Sequence, residues 1–294
     1  MSVSGPFRSW LFAPGNHPRR VEKALGLDAD VVILDLEDAV AVAEKEATRP
    51  MVVEALQGPR GCLGYIRVNA YDTDFCYGDL RAVVQPGVDG IMLPKLETAD
   101  QIKSVDWLVG QLERDAGLAV GGLDILPIVE TGLGVANARA IADAGTRVRR
   151  LAFGAGDYAK DMAMNWTRAE TEMAHARAEV VLASRAGGLD APIDTVWIHI
   201  GDTDGCKTSA QVVADMGYQG KLCIHPEQIG PVNDVFTPSA DQVAFAEKVV
   251  AAFDEAEARG LASIQVEGYF VDYPIVDQAR RTLALIRNIN AKNG

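Results

Sequence analysis

The sequence is poor in cysteine and histidine, with four of each in 294 residues. Cys62, Cys76, Cys206 and Cys223 form no CxxC pair and have no histidine ligand pattern beside them, which excludes a zinc cluster. Reduced, partly buried thiols in a cytoplasmic protein are the expectation. No histidine stands beside a serine or cysteine in a nucleophile motif, so acyl-enzyme chemistry is not expected. Basic residues are outnumbered, 28 Lys and Arg against 41 Asp and Glu, and the net charge of −13 argues against nucleic acid or an anionic membrane surface as partner. Long hydrophobic runs are missing too: the longest are about six to eight residues, far short of the ~20 that span a bilayer. Residues 1–9 carry one arginine and no signal core, so nothing marks the chain for export.

What is present is a sizeable apolar fraction, 48%, without low-complexity segments. The length allows two small domains or one barrel of about 250 residues with an extension. Eight apolar runs end in Gly, Pro or charge: Ser9 to Ala13, Asp30 to Leu36, Gly64 to Val68, Gly90 to Leu93, Asp124 to Val129, Arg150 to Phe153, Thr195 to Ile200 and Lys221 to Ile224. Segments of helical spacing lie between them, including Arg19 to Leu25, Glu44 to Leu56, Ala99 to Ala116, Val135 to Ala144, Glu170 to Ala186 and Ser209 to Met216. Strands alternating with helices and unbroken by hairpin signals imply a parallel sheet. Eight of them favour a closed α/β (β/α)8 barrel over an open doubly wound sheet. Gly132-Leu-Gly134 opens a helix after a strand but lacks the third glycine of a dinucleotide fingerprint.

The barrel is expected over residues 1–235. Residues 236–294 then form a helical extension: a helix from Thr237-Pro-Ser239 to about Arg259-Gly260, the stretch Gly268-Tyr-Phe-Val-Asp272-Tyr-Pro274, and a last helix. It is either a packing cap or an arm that reaches a neighbouring subunit.

Chemistry in such a barrel sits at the C-terminal ends of the strands. There the sequence places Asp35, Glu37, Asp38, Arg67, Asn69, Lys95, Glu97, Glu130, Asp157, Asp202, Asp204 and His225. Oxygen ligands without a Cys or His set suit Mg2+ or Mn2+, and Mg2+ needs only one or two protein carboxylates. Glu130 and Asp157 suffice. Glu130 is alternatively a cap for the following helix, Asp35, Glu37 and Asp38 alternatively an ordinary solvated strand exit, and His225 alternatively a structural hydrogen-bonding group. Arg19, Arg20 and Lys23 form a local basic cluster that can bind phosphate on an acidic protein, or is only solvated.

Seven motifs occur in the order seen in the citrate lyase β-subunit-like family. They are Phe12-Ala-Pro-Gly-Asn-His-Pro18, Ile33-Leu-Asp-Leu-Glu-Asp-Ala39, Arg67-Val-Asn69, Leu93-Pro-Lys-Leu-Glu97, Ile128-Val-Glu-Thr131, Phe153-Gly-Ala-Gly-Asp157 and Gly220-Lys-Leu-Cys-Ile-His-Pro226. The chain resembles that family, which includes malyl-CoA and citramalyl-CoA lyases and groups with the HpcH/HpaI aldolases, over nearly its whole length. The resemblance implies a (β/α)8 barrel, a homotrimer or hexamer, that cleaves or forms a carbon–carbon bond beside a CoA thioester with Mg2+. It implies Glu130 and Asp157 as metal ligands and Arg67 as the arginine that binds substrate and stabilises developing charge. It assigns the turn Gly154, Ala155, Gly156 and Asp157 to the carboxylate of a 2-oxo acid. Asp272 resembles the C-terminal aspartate that such lyases lend to a neighbouring subunit as acid/base; by itself it reads as an N-cap. Asp35, Glu37 and Asp38 are expected to orient Arg67 and metal-bound water, and Arg19, Arg20 and Lys23 to meet the CoA phosphates. The chain departs from the family's frequent Glu-Asp at Gly156-Asp157, which puts an outer carboxylate in doubt. A malyl-CoA thioesterase, a CoA-independent aldolase, or a citrate lyase subunit working on an acyl carrier protein would share the site.

Overall fold

The structure, a computed structural model, describes residues 5–293. Strands and helices alternate as β1 (Ser9–Pro14), α1 (Pro18–Leu25), β2 (Val31–Asp35), α2 (Lys45–Ala55), β3 (Leu63–Arg67), α3 (Cys76–Val83), β4 (Gly90–Leu93) and α4 (Ala99–Asp115). They continue as β5 (Asp124–Val129), α5 (Gly132–Ala136), α6 (Ala138–Ala142), β6 (Ala152–Phe153), α7 (Ala155–Asp161), α8 (Ala174–Ala186), β7 (Ile193–Asp194), α9 (Thr203–Met216), β8 (Gly220–Cys223) and α10 (Ile229–Phe236). All eight strands pair in parallel with their sequence neighbours, and β8 closes onto β1 through Trp10↔Leu222. The protein is therefore an α/β TIM barrel.

Side chains of alternate strand positions fill the inside. Trp10, Ile33, Tyr65, Met92, Leu126, Ile128, Ala152, Ile193 and Leu222 form one buried cluster, while the opposite faces pack against the helices in a larger one. The N-terminal end is closed by charge as well as by bulk. Tyr65 Oη and Arg150 Nη1 both donate to Asp124 Oδ2, at 2.6 and 2.5 Å, and the Arg150 guanidinium lies 3.9 Å over the Phe7 ring. Gly90 is needed there because a Cβ would strike the Tyr65 ring.

The seventh strand differs from expectation. Pairing uses Ile193–Asp194, and residues 195–200 leave the sheet with Ile198 and Ile200 41% and 60% exposed. The register is set by charge. Asp194 lies opposite Lys221 on β8, bonds its Nζ at 2.5 Å, and accepts Arg177 Nε at 2.8 Å, all three fully or nearly buried. The alternation in residues 195–200 imitates a strand but has no such partners. The expected helix over 135–144 is two short helices meeting at Asn137, whose side-chain amide donates to the Glu97 carbonyl at 2.9 Å.

Contacts divide the chain into two units, Met1–Phe236 and Thr237–Gly294. The second holds α11 (Ala240–Glu257), a hairpin of β9 (Ser263–Val266) and β10 (Tyr269–Asp272), and α12 (Tyr273–Asn293). The hairpin was not anticipated, because consecutive aromatic residues, Tyr269 and Phe270, are exposed on its two faces and mask the usual inside-outside contrast. Its own core comprises Val249, Phe253, Val266, Val271 and Val276. No helix among the described residues is long and apolar enough to cross a membrane.

Candidate active site

The two-residue period of a strand decides what reaches the mouth of the barrel. The inward files run Val31, Ile33, Asp35 on β2; Tyr65, Arg67 on β3; and Leu126, Ile128, Glu130 along and just past β5, each starting in the interior cluster. One step beyond the apolar filling, each file ends in a charge.

Arg67 links these charges. Its Nε and Nη2 donate to Asp35 Oδ1 and Oδ2 at 2.7 and 2.6 Å, a two-pronged charged bond. Its Nη1 lies 3.0 Å from Glu37 Oε2 and 3.6 Å from Asp38 Oδ2, and the guanidinium sits 4.8 Å over the Phe12 ring. Asp35 also accepts the N–H groups of Glu37 and Ala39 at 2.9 and 3.1 Å. Burial works against its charge, yet Arg67 and these bonds outweigh burial and hold the Asp35 carboxyl below the ordinary range. Glu37 differs: burial raises its pKa despite Arg67 and Lys95, and its Oε2 makes no well-aligned hydrogen bond. Asp38 is mostly exposed.

Lys95 is the second cation at the mouth, and its strand-end position alone assigned it no role. Its backbone takes a left-handed conformation, φ +50°, from which its N–H donates to Glu130 Oε1 at 2.8 Å. Its ammonium bonds Glu37 Oε1 and lies 3.6 Å from Asp38 Oδ1 and 3.4 Å from Asp157 Oδ2.

Glu130 is buried. Burial pushes its carboxyl up to about 8; Arg67 opposes the rise, and Glu37 and Asp157 add to it. It does not cap the next helix. That role falls to Thr131, whose hydroxyl accepts the Gly134 N–H at 3.0 Å and donates to Glu97 Oε1 at 2.9 Å. Gly154 follows the strand pair Val129↔Phe153, and a Cβ there would collide with the Glu130 carboxylate and lie 2.7 Å from its Cβ. The glycine is a space for Glu130.

The turn after β6 enters α7 directly. The Gly154 N–H donates to the Val129 carbonyl at 3.1 Å and the Ala155 N–H to Thr195 Oγ1 at 2.8 Å. The first-turn N–H groups of exposed Gly156 and half-buried Asp157 have no carbonyl one turn back within α7, so an anion at this turn would meet those two.

Other strand-end groups serve the scaffold. Asp202 caps α9 through the Gly205 N–H at 3.1 Å and pairs with Arg168, and His225 Nδ1 accepts the Glu227 N–H at 3.4 Å. Arg19, Arg20 and Lys23 are exposed on α1. A cleft of about 590 Å3 is lined by Pro18, Val21 and Glu22 of the same helix, but by none of the three cations. Asp272, half-buried at the end of β10, lies between buried Val271 and Tyr273, the latter 47% exposed.

Residues 8–226 match the HpcH/HpaI aldolase/citrate lyase family. The chain belongs to this family. It is 37% identical to citrate lyase subunit beta of Leuconostoc mesenteroides subsp. cremoris over 95% of this chain and 92% of that protein. To an L-malyl-CoA/beta-methylmalyl-CoA lyase of Cereibacter sphaeroides it is 34% identical over 93% and 92%. It is also similar to the crystal structure of CitE from Mycobacterium tuberculosis in complex with magnesium, acetoacetate and coenzyme A, with TM-score 0.74, 30% identity and coverage of 95% and 97%. Both of these curated relatives carry lyase names, and the chain is an enzyme of that class.

The raised Glu130 carboxyl has a stability consequence. Between the ordinary value of 4.5 and about 8 the folded protein retains a proton that the unfolded chain gives up, so folding stability falls as pH rises through that window. In metal-free buffer, Glu130→Gln is expected to unfold with the parent at pH 5 and above the parent temperature at pH 8.5, by scanning calorimetry. Parallel curves across that range would contradict the buried, uncompensated carboxylate.

Proposed function

We propose that the chain is a Mg2+-dependent carbon–carbon lyase that reversibly cleaves a carboxylated 3-hydroxyacyl-CoA, such as malyl-CoA or citramalyl-CoA, into a 2-oxo acid and an acyl-CoA. One observation carries this reading: Glu130 is a buried carboxylate that forms no ion pair among the described residues, with Arg67 near enough to oppose the rise of its pKa and Asp157 near enough to add to it. Among the described residues no three His, Cys, Asp or Glu side chains gather as a metal cluster. Two carboxylates supplemented by water and substrate oxygens suit Mg2+, with Mn2+ a substitute, and do not suit zinc. The complex of CitE with magnesium and coenzyme A, and the malyl-CoA lyase relative, support both the ion and the thioester.

Glu130 and Asp157 would hold the ion, which supplies Lewis acidity to the substrate's hydroxyl and carboxylate oxygens. The remaining work belongs to the chain. Arg67, locked by Asp35 and backed by Phe12, presents a fixed positive charge where negative charge develops, an effect of ~3 kcal/mol for a preorganised donor. The first-turn N–H groups of Gly156 and Asp157 receive the 2-oxo acid's carboxylate. Asp35, Glu37 and Asp38 keep Arg67 and bound water oriented. Asp272 of a neighbouring subunit, as acid/base, takes the substrate's hydroxyl proton; the O–H electron pair forms the carbonyl of the 2-oxo acid, the electron pair of the broken carbon–carbon bond stays with the acyl-CoA as an enolate, and Asp272 returns the proton to quench it. That role requires a homo-oligomer, and the family resemblance implies a trimer or hexamer. The exposed basic face of α1, with Arg19, Arg20 and Lys23, would meet the CoA phosphates. The 37% identity to citrate lyase subunit beta favours a second reading, in which the same chemistry runs on an acyl carrier protein within a citrate lyase complex.

With Mg2+ and a panel of malyl-, methylmalyl-, citramalyl- and citryl-CoA, 2-oxo acid and free CoA are scored separately. The lyase reading expects 2-oxo acid with the thioester intact, and none from Glu130→Ala. Free CoA with intact hydroxy acid indicates a thioesterase, and inactivity on every free ester moves the reading to the carrier-protein subunit. Asp272 in trans has its own test. Mixed oligomers of inactive Asp272→Ala and inactive Glu130→Ala subunits should recover part of the activity, and no recovery after verified exchange would refute the shared site.

A further inference from the structure

Lys95 stands apart from the other charges at the mouth. A long side chain rarely adopts φ near +50°, and a strained backbone at a cluster of acids is a functional signal. The strain aims the residue twice: its N–H meets Glu130, and its ammonium reaches toward Asp157, the two carboxylates assigned above to the metal. Arg67 has no freedom to do the same, being held on Asp35 by two short bonds and stacked on Phe12. Lys95 has that freedom. It is a point charge on a flexible stem, its side chain is 31% exposed, and its approaches to Asp157 and Asp38 are 3.4 and 3.6 Å, looser than its bond to Glu37. Five carboxylates, Asp35, Glu37, Asp38, Glu130 and Asp157, thus face one fixed and one movable cation.

We infer that Lys95 is a tethered stand-in for the divalent ion. This rests on the metal assignment to Glu130 and Asp157. In the metal-free protein the ammonium is shared between Glu37 and Asp157 and relieves the repulsion among the acids. When the ion arrives, Lys95 releases Asp157 and remains with Glu37 and Asp38. Ion and ammonium therefore compete for one carboxylate: the empty mouth stays formed, and the ion is held less tightly than two carboxylates alone would hold it.

The test uses the full chain, MgCl2 titrated by calorimetry, and thermal unfolding with EDTA or saturating Mg2+. Lys95→Met should bind Mg2+ about tenfold more tightly, the order expected for one partly exposed charge at this distance. It should unfold earlier than the parent in EDTA and by a clearly smaller margin in saturating Mg2+. Folding of Lys95→Met only when Mg2+ is present would support the inference equally. Lys95→Arg, which keeps the charge, should stay within about threefold of the parent's affinity. Weaker or unchanged binding by Lys95→Met, equal destabilisation with and without Mg2+, or tightening in Lys95→Arg would overturn the stand-in role while the metal assignment survives. A parent that binds no Mg2+ would overturn both.

Discussion

The mouth of this barrel depends on the two-pronged bond between Arg67 and Asp35. A guanidinium this buried is tolerable only with its charge met and its donors directed, and Asp35 does both. The bond also exhausts Asp35 and leaves Arg67 one edge for Glu37. Farther along the rim, burial first, and the neighbouring Glu37 and Asp157 after it, push the Glu130 carboxyl up to about 8 against the pull of Arg67. The proposed ion would take only Glu130 and Asp157 from the chain and complete its shell with water and substrate oxygens.

The two ends of the barrel use charge oppositely. At the N-terminal end Asp124 is bonded by Tyr65 and Arg150, and along the wall Asp194 is bonded by Lys221 and Arg177. These carboxylates have their cations in direct contact, and they set strand register and seal the interior. At the C-terminal end, Glu130 receives one backbone N–H and, among the described residues, has no cation in contact. The same parity that fills the interior with Leu126 and Ile128 carries Glu130 to that position, while the missing side chain of Gly154 leaves it room. Stability and reactivity are thus separated along single strands.

Much of this was legible in the sequence because strands impose a period. Apolar runs that stop at charge mark seven of the eight strand ends in the sequence, with Asp35, Arg67 and Glu130 at or just past them. The helix-cap reading of Glu130 was equally open then, and only the Thr131 hydroxyl on the Gly134 N–H removes it. Lys95 was beyond reach: its part depends on a left-handed φ, and no pattern in Leu93-Pro-Lys-Leu-Glu97 announces one. The seventh strand was misplaced because residues 195–200 alternate like a strand, whereas the ion pairs that fix Ile193–Asp194 join residues far apart in sequence. The hairpin bearing Asp272 escaped for a related reason, its aromatic residues pointing outward.

The central claim is that two carboxylates, Glu130 and Asp157, hold one divalent ion beside an arginine already committed to its neighbours. The most direct measurement is a Mn2+ titration followed by electron paramagnetic resonance of the free ion. The account predicts one bound ion per chain, lost in both Glu130→Ala and Asp157→Ala and retained in Asp202→Ala, whose carboxylate only caps a helix and pairs with Arg168. Undiminished binding in either of the first two variants would contradict it.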